Sequence, residues 1–134
     1  MKTISEKISN YFKDQKEIVA VYLYGSCANN KERPFSDVDI GIVVNYPAVN
    51  TVKKKIDRYI SDLSRMIRKD IHLILLNLAS ENLLLQVFEK GQCLVVNNQS
   101  ALSLFKMKEF TKIADFSYHK KMMQQGFINN MMKA

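Results

Sequence analysis

The chain has 134 residues, of which 47% are hydrophobic and 25% charged, an ordinary profile for a globular domain rather than a disordered or fibrous chain. No apolar run approaches the roughly 20 residues of a membrane span, and the opening MKTISEKISNYF lacks the apolar core of a secretory signal. The net charge is +7, and the two cysteines, Cys27 and Cys93, fit no metal-binding spacing, which points to free thiols in a cytoplasmic protein.

Residues 3 to 16 predict an amphipathic helix with Ile4, Ile8, Tyr11 and Phe12 on one face. Ile18 to Tyr24 (IVAVYLY) is an unbroken β-branched and aromatic run, the pattern of a buried strand, and it ends at Gly25. A short turn and a loop containing Pro34 lead to a second strand, Asp37 to Val44. Pro47 precedes a basic helix over about residues 49–68, with Val52, Ile56, Tyr59, Ile60, Leu63 and Ile67 at helical spacing. Asp70 to Leu76 predicts a third strand. Ser80 is a candidate N-cap for a helix over Glu81–Lys90, closed by Gly91, and Cys93 to Val96 predicts a short fourth strand. From about Ser100 the pattern is helical to near the end, with Gly126 as a break. This order predicts one α/β or α+β domain over residues 1–134, a sheet with helices packed on one side.

Positive charge concentrates in two segments. Residues 47 to 69 hold seven Lys/Arg against two Asp, and residues 104 to 134 hold six Lys against Glu109 and Asp115. Solvated basic helix faces are the first reading for most of these residues; the alternative is attraction for nucleotide phosphates, RNA or an acidic partner protein, and charge alone does not choose among them. The last segment also holds Met107, Met122, Met123, Met131 and Met132 with Phe105, Phe110, Phe116 and Phe127. Its first half is expected to pack on the chain's own sheet. Past about Lys120, an adaptable partner interface is expected.

The chemistry lies between Tyr24 and Val44. Gly25-Ser26 follows a buried strand, and ten residues later Asp37-Val38-Asp39 opens the next one. Side chains at i and i+2 of a strand share a face, so the two carboxylates project together and repel. A divalent cation removes that penalty, and Mg²⁺ takes carboxylate oxygens together with substrate phosphates. Glycine allows a tight turn and close backbone approach, and the amides that follow, with the Ser26 hydroxyl, suit phosphate oxygens. Each motif alone is weak: Gly-Ser ends many strands, and Asp-x-Asp often marks a solvated strand start. Their order and spacing give them weight. Asp70 opens the third strand as Asp37 opens the second, which would bring three carboxylates together. His72, two residues on and on the same face as Asp70, has two readings, a residue lining the site or a satisfied structural histidine, with the second the more expected. His119 has no partner at metal-ligand spacing. No Walker loop, GxGxxG, HExxH or CxxC is present.

This pattern resembles the minimal nucleotidyltransferases of the polymerase-β superfamily. DIHLILLNLASENLLLQVFEKGQCLVV is similar to the part of those proteins that follows the third acid, and KEFTKIADFSYHKK to the C-terminal helix of members paired with HEPN-domain ribonucleases. The resemblance implies a small mixed sheet flanked by helices, with ATP as substrate and two Mg²⁺ ions. It implies catalytic and metal-binding roles for Asp37, Asp39 and Asp70, and nucleotide binding by Gly25 and Ser26. It further implies an antitoxin that transfers AMP to a tyrosine hydroxyl of a HEPN ribonuclease toxin, with no membrane and no direct nucleic-acid partner. Family members often continue Gly-Ser with an Ala-Arg-Gly run, whereas this chain has Cys27-Ala28-Asn29-Asn30, leaving Lys31 or Arg33 to supply the positive charge. The alternatives are an aminoglycoside-type transferase, for which the chain has little room, and an antitoxin acting by binding alone.

Overall fold

The structure is a computed structural model that describes residues 2–25 and 37–118, with side chains through Ala114. Helix α1 (Ile4–Phe12) starts at Thr3, whose hydroxyl accepts the Glu6 N–H at 3.1 Å. Strand β1 (Ile18–Tyr24) follows, then β2 (Val38–Val44), α2 (Val49–Ile67), β3 (Ile71–Leu75), α3 (Glu81–Lys90), β4 (Gln92–Val96) and α4 (Gln99–Tyr118). Single 3₁₀ turns at Tyr46–Ala48 and Leu76–Leu78 connect these elements. The strands form one mixed sheet in the order β3-β2-β1-β4. Strand β1 runs antiparallel to β2 and to β4, while β2 and β3 are parallel and are joined through α2.

The expectation of helices on one side is wrong. Two separate cores cover opposite faces of the sheet. On one face, Ile8 and Phe12 of α1 and Val52, Tyr59, Leu63 and Ile67 of α2 pack on Val21, Leu23, Val38, Ile40, Ile42 and Leu73. On the other, Leu84, Val87 and Phe88 of α3 and Leu102, Phe105, Phe110 and Ile113 of α4 pack on Tyr22, Tyr24 and Val43. The physical reason is visible in β1: all seven residues are buried, and alternate side chains point to opposite faces, so both faces need cover. Each fully buried aliphatic or aromatic side chain contributes roughly 1.5–3 kcal/mol. Edge-to-face ring contacts tie each layer: Phe12 to Tyr59 at 5.4 Å on one face, and Phe88 to Phe110 at 5.6 Å on the other.

The element ends show what aims the strands. Helix α2 stops at Arg68, a left-handed residue (φ 62°) whose N–H bonds the Ser64 carbonyl at 2.8 Å, and two residues later Asp70 leads into β3. Helix α3 begins as expected, with the Ser80 hydroxyl accepting the Leu83 N–H at 3.3 Å. Gly91 ends it in an extended rather than left-handed conformation, and glycine is required there because a side chain would strike the backbone carbonyl oxygens of Val87 and Leu23. The first half of α4 packs on the sheet as expected, with Leu102, Phe105, Phe110 and Ile113 buried. The proposed interface past Lys120, Gly126 and His119 lie outside the described residues.

Candidate functional site

Asp39 is the residue around which the candidate site is built. It sits on β2 between Val38 and Ile40, both fully buried in the opposite direction, so the strand is anchored while the carboxylate projects to the other face. Its antiparallel neighbour on β1 is Tyr24, and its parallel neighbour on β3 is His72. Gly25 follows Tyr24 in the left-handed region (φ 74°), where a side chain would collide with Asp39 Oδ2. The Gly25 turn and the Asp37-x-Asp39 pair, distant in sequence, therefore meet at one corner of the sheet.

The third carboxylate begins at the same corner. The Val38 N–H donates to the Asp70 carbonyl at 2.9 Å, and the register pairs Val38 with Ile71. Strand alternation then puts Asp37 and Asp39 on one face of β2, and Asp70 and His72 on the same face of β3. Asp37 and Asp70 are exposed and Asp39 is partly buried. The residue opposite Asp39 is thus His72 rather than Asp70. His72 Nδ1 lies 3.1 Å from Asp39 Oδ1, and its side chain is 65% exposed against 27% for Asp39. Of the two readings of His72, the structural one is corrected and the one that places it at the site fits: it packs in no core and bonds the Asp39 carboxylate. The clue in the sequence was its i+2 spacing from Asp70. Beside it, the Tyr24 hydroxyl is pushed up to about 12, mainly by burial and then by the Asp39 charge.

Among the described residues, no group of three or more His, Cys, Asp or Glu side chains is placed to hold a metal ion by itself. The chemistry of the carboxylates at this corner, Asp39 beside the side-chain-free Gly25 turn and Asp37 two residues before it, is of the kind a hard divalent cation takes. Mg²⁺ is commonly held by one or two carboxylates, with substrate phosphates and water completing its shell, so a closed protein cage is not required. Ser26, Lys31 and Arg33 of the expected nucleotide site, and Cys27, Asn29 and Asn30, lie outside the described residues.

An apolar groove of about 730 Å³ runs between α4 and the Val19 end of β1, where β2 finishes at Val44, with Tyr46, Leu104 and Met107 along it. It is at the opposite end of the sheet from Tyr24 and Asp39 and holds none of the acidic residues, so its size does not make it the site. Among the described residues, no helix is long and apolar enough to cross a membrane.

Residues 6–100 match the family model "Polymerase beta, Nucleotidyltransferase", and the chain belongs to that family. The matched region contains Gly25, the carboxylate pair and Asp70. No curated protein sequence matches the chain. Among solved structures, it is similar to a chain of a toxin–antitoxin crystal structure with AMP-PNP, at 22% identity and TM-score 0.64, covering 96% of this chain and 98% of that one. It is also similar to a chain of the complex of tri-AMPylated Shewanella oneidensis HEPN toxin with MNT antitoxin, at 22% identity and TM-score 0.58, covering 96% of each. A third, the toxin–antitoxin MntA-HepT, has 22% identity and TM-score 0.57, covering 96% of this chain and 97% of that one. These likenesses establish the fold, a four-stranded mixed sheet flanked by helices.

Proposed function

We propose that this nucleotidyltransferase is an antitoxin that transfers AMP from ATP to a tyrosine hydroxyl of a HEPN ribonuclease toxin in the cytoplasm, where ATP is available. The observation that carries the chemistry is the meeting of the Gly25 turn with the Asp39 carboxylate at the corner where Asp70 opens β3. The choice of partner is supported by the similar toxin–antitoxin complexes, which match this chain over nearly its whole length.

In this mechanism Gly25 and Ser26, with Lys31 or Arg33, hold the triphosphate. Asp37, Asp39 and Asp70 would hold Mg²⁺, which when bound neutralises phosphate charge and lowers the pKa of the attacking hydroxyl. Asp70 accepts the proton of the tyrosine hydroxyl. The tyrosine oxygen forms a bond to the α-phosphorus of ATP as the bond from that phosphorus to the β-bridging oxygen breaks, and pyrophosphate leaves with the electron pair. The protein's contribution is chiefly positioning and a preorganised field.

The experiment is the intact mass of the cognate HEPN protein after incubation with this protein, ATP and Mg²⁺. Addition of one or more AMP units by the wild type, and none by Asp37→Ala/Asp39→Ala, is the expected result. A stable complex that neutralises the toxin without any mass change would replace the proposal with inhibition by contact alone.

A further inference from the structure

We propose that His72 is a positioning residue of the transfer site: its Nδ1–H fixes the Asp39 carboxylate in the orientation that binds the metal-nucleotide. This inference rests on the nucleotidyl-transfer reading above and adds a residue to it.

Three observations carry it. The first is the contact itself, His72 Nδ1 to Asp39 Oδ1 at 3.1 Å. An ionised carboxylate can only accept, so Nδ1 bears the proton and donates. The second is how the contact is built. Asp39 and His72 are register partners of the parallel pair β2–β3, and both strands are held by buried residues on the other face: Val38 and Ile40 on one, Ile71 and Leu73 on the other. The backbone delivers the imidazole to the carboxylate without a flexible loop. The third is the division of the two carboxylate oxygens. Oδ1 is taken by His72, while Oδ2 faces the Gly25 turn, the element expected to hold the triphosphate. A carboxylate gripped through one oxygen cannot spin about its last torsion, so the other oxygen stays aimed.

A purely structural role does not account for the geometry. The His72 side chain is 65% exposed and fills no core space. An exposed histidine–carboxylate pair contributes little to stability, because water competes for both groups. What such a pair does well is orient a metal-binding carboxylate, and loss of partners of this kind typically costs about 10–100-fold in metal affinity or activity.

The test is Mn²⁺ binding, read from the electron paramagnetic resonance of free Mn²⁺ in the presence of AMP-PNP. Wild type, His72→Ala, His72→Asn and Asp39→Ala are compared, with thermal melting run alongside. His72→Ala is expected to weaken Mn²⁺ binding by about 10–100-fold with little change in melting temperature. His72→Asn, whose side-chain amide can donate from nearly the place of Nδ1, is expected to restore most of the affinity. Unchanged affinity in His72→Ala, with Asp39→Ala severely impaired, would overturn the role of His72 and leave the site reading intact. Unchanged affinity in Asp39→Ala would overturn the site reading itself. Equal loss in His72→Ala and His72→Asn would also overturn the proposal, since the donated hydrogen bond would then not be what matters.

Discussion

Gly25→Ala tests the junction on which the site depends, and its effects separate into two parts. The first is conformational. Gly25 has φ 74°, and holding an ordinary L-residue in the left-handed region costs roughly 1–2 kcal/mol. The second is local collision, because the new Cβ would overlap Asp39 Oδ2, so the turn or the carboxylate must move. If the carboxylate moves, its 3.1 Å bond to His72 is stretched, and a displacement of about 1 Å at a reacting centre can cost about 10²-fold in rate. Urea unfolding should show a loss of about 1–3 kcal/mol, and AMP transfer should fall by about 10²-fold. Gly25→Asn isolates the second part: asparagine tolerates the left-handed region better but still carries a Cβ, so stability should recover in part while transfer stays low. A double-mutant cycle with Asp39→Ala isolates the contact. Removing the carboxylate removes the collision, so Gly25→Ala should cost less stability in that background, with a coupling of at least about 0.5 kcal/mol. Strict additivity, or wild-type transfer by Gly25→Ala, would refute the contact between turn and carboxylate.

Two further predictions concern the scaffold. The Glu17 carboxyl is held below its ordinary 4.5, first by its own backbone N–H and then, against the opposing effect of burial, by Lys55 at 3.6 Å and the Tyr59 hydroxyl at 3.3 Å. A lowered folded-state pKa stabilises fully above 4.5 and is lost as pH falls through the folded value, so the stability advantage of wild type over Glu17→Gln should vanish in acid; an advantage constant from neutral pH into strong acid would contradict this. On α4, Phe110 is 2% exposed and Leu104 is 68% exposed. Phe110→Ala should cost about 3–5 kcal/mol in urea unfolding and Leu104→Ala within about 0.5 kcal/mol, and similar losses for the two would mean that α4 does not lie on the sheet as described.

The parts of the fold legible in the sequence are those written locally. Strand β1 occupies Ile18–Tyr24 as its unbroken apolar run suggested, and α3 occupies Glu81–Lys90 between a serine cap and a glycine stop, because burial period and caps are local signals. The side of the sheet on which each helix lies is not local. Helices α3 and α4 are legible as helices in sequence, but nothing in either says which side of β1 it must cover. The seven-residue run of β1 already required cover on both sides, and that constraint was the stronger one. At the site, the placement of Asp37 and Asp39 at the start of β2 and of Asp70 just before β3 was legible from two strand starts. The identity of the residue facing Asp39 was not. It depends on the parallel register of β2 against β3, and a shift of two residues would have put Asp70 there in place of His72.

That register also explains how a strand can carry two repelling carboxylates. Like charges on one face of a strand oppose folding. In β2 the even positions Val38, Ile40 and Ile42 are fully buried in one core, while Asp39, and Asp37 just before the strand, lie at its open end. Hydrogen bonding to β1 on one side and β3 on the other fixes the backbone around Asp39. The cost of the acidic pair is therefore met by residues that take no part in the chemistry, and the carboxylates can be selected for their reaction rather than for their packing. Gly25 and His72 follow the same logic from the neighbouring strands. One leaves room beside Asp39 Oδ2 and the other grips Oδ1, and neither contributes a side chain to a core. For these acidic and histidine side chains the corner is specified by the sheet's geometry and insulated from its stability, so substitutions of Asp37, Asp39 and His72 should change transfer far more than unfolding, whereas Gly25, held at φ 74°, bears on both.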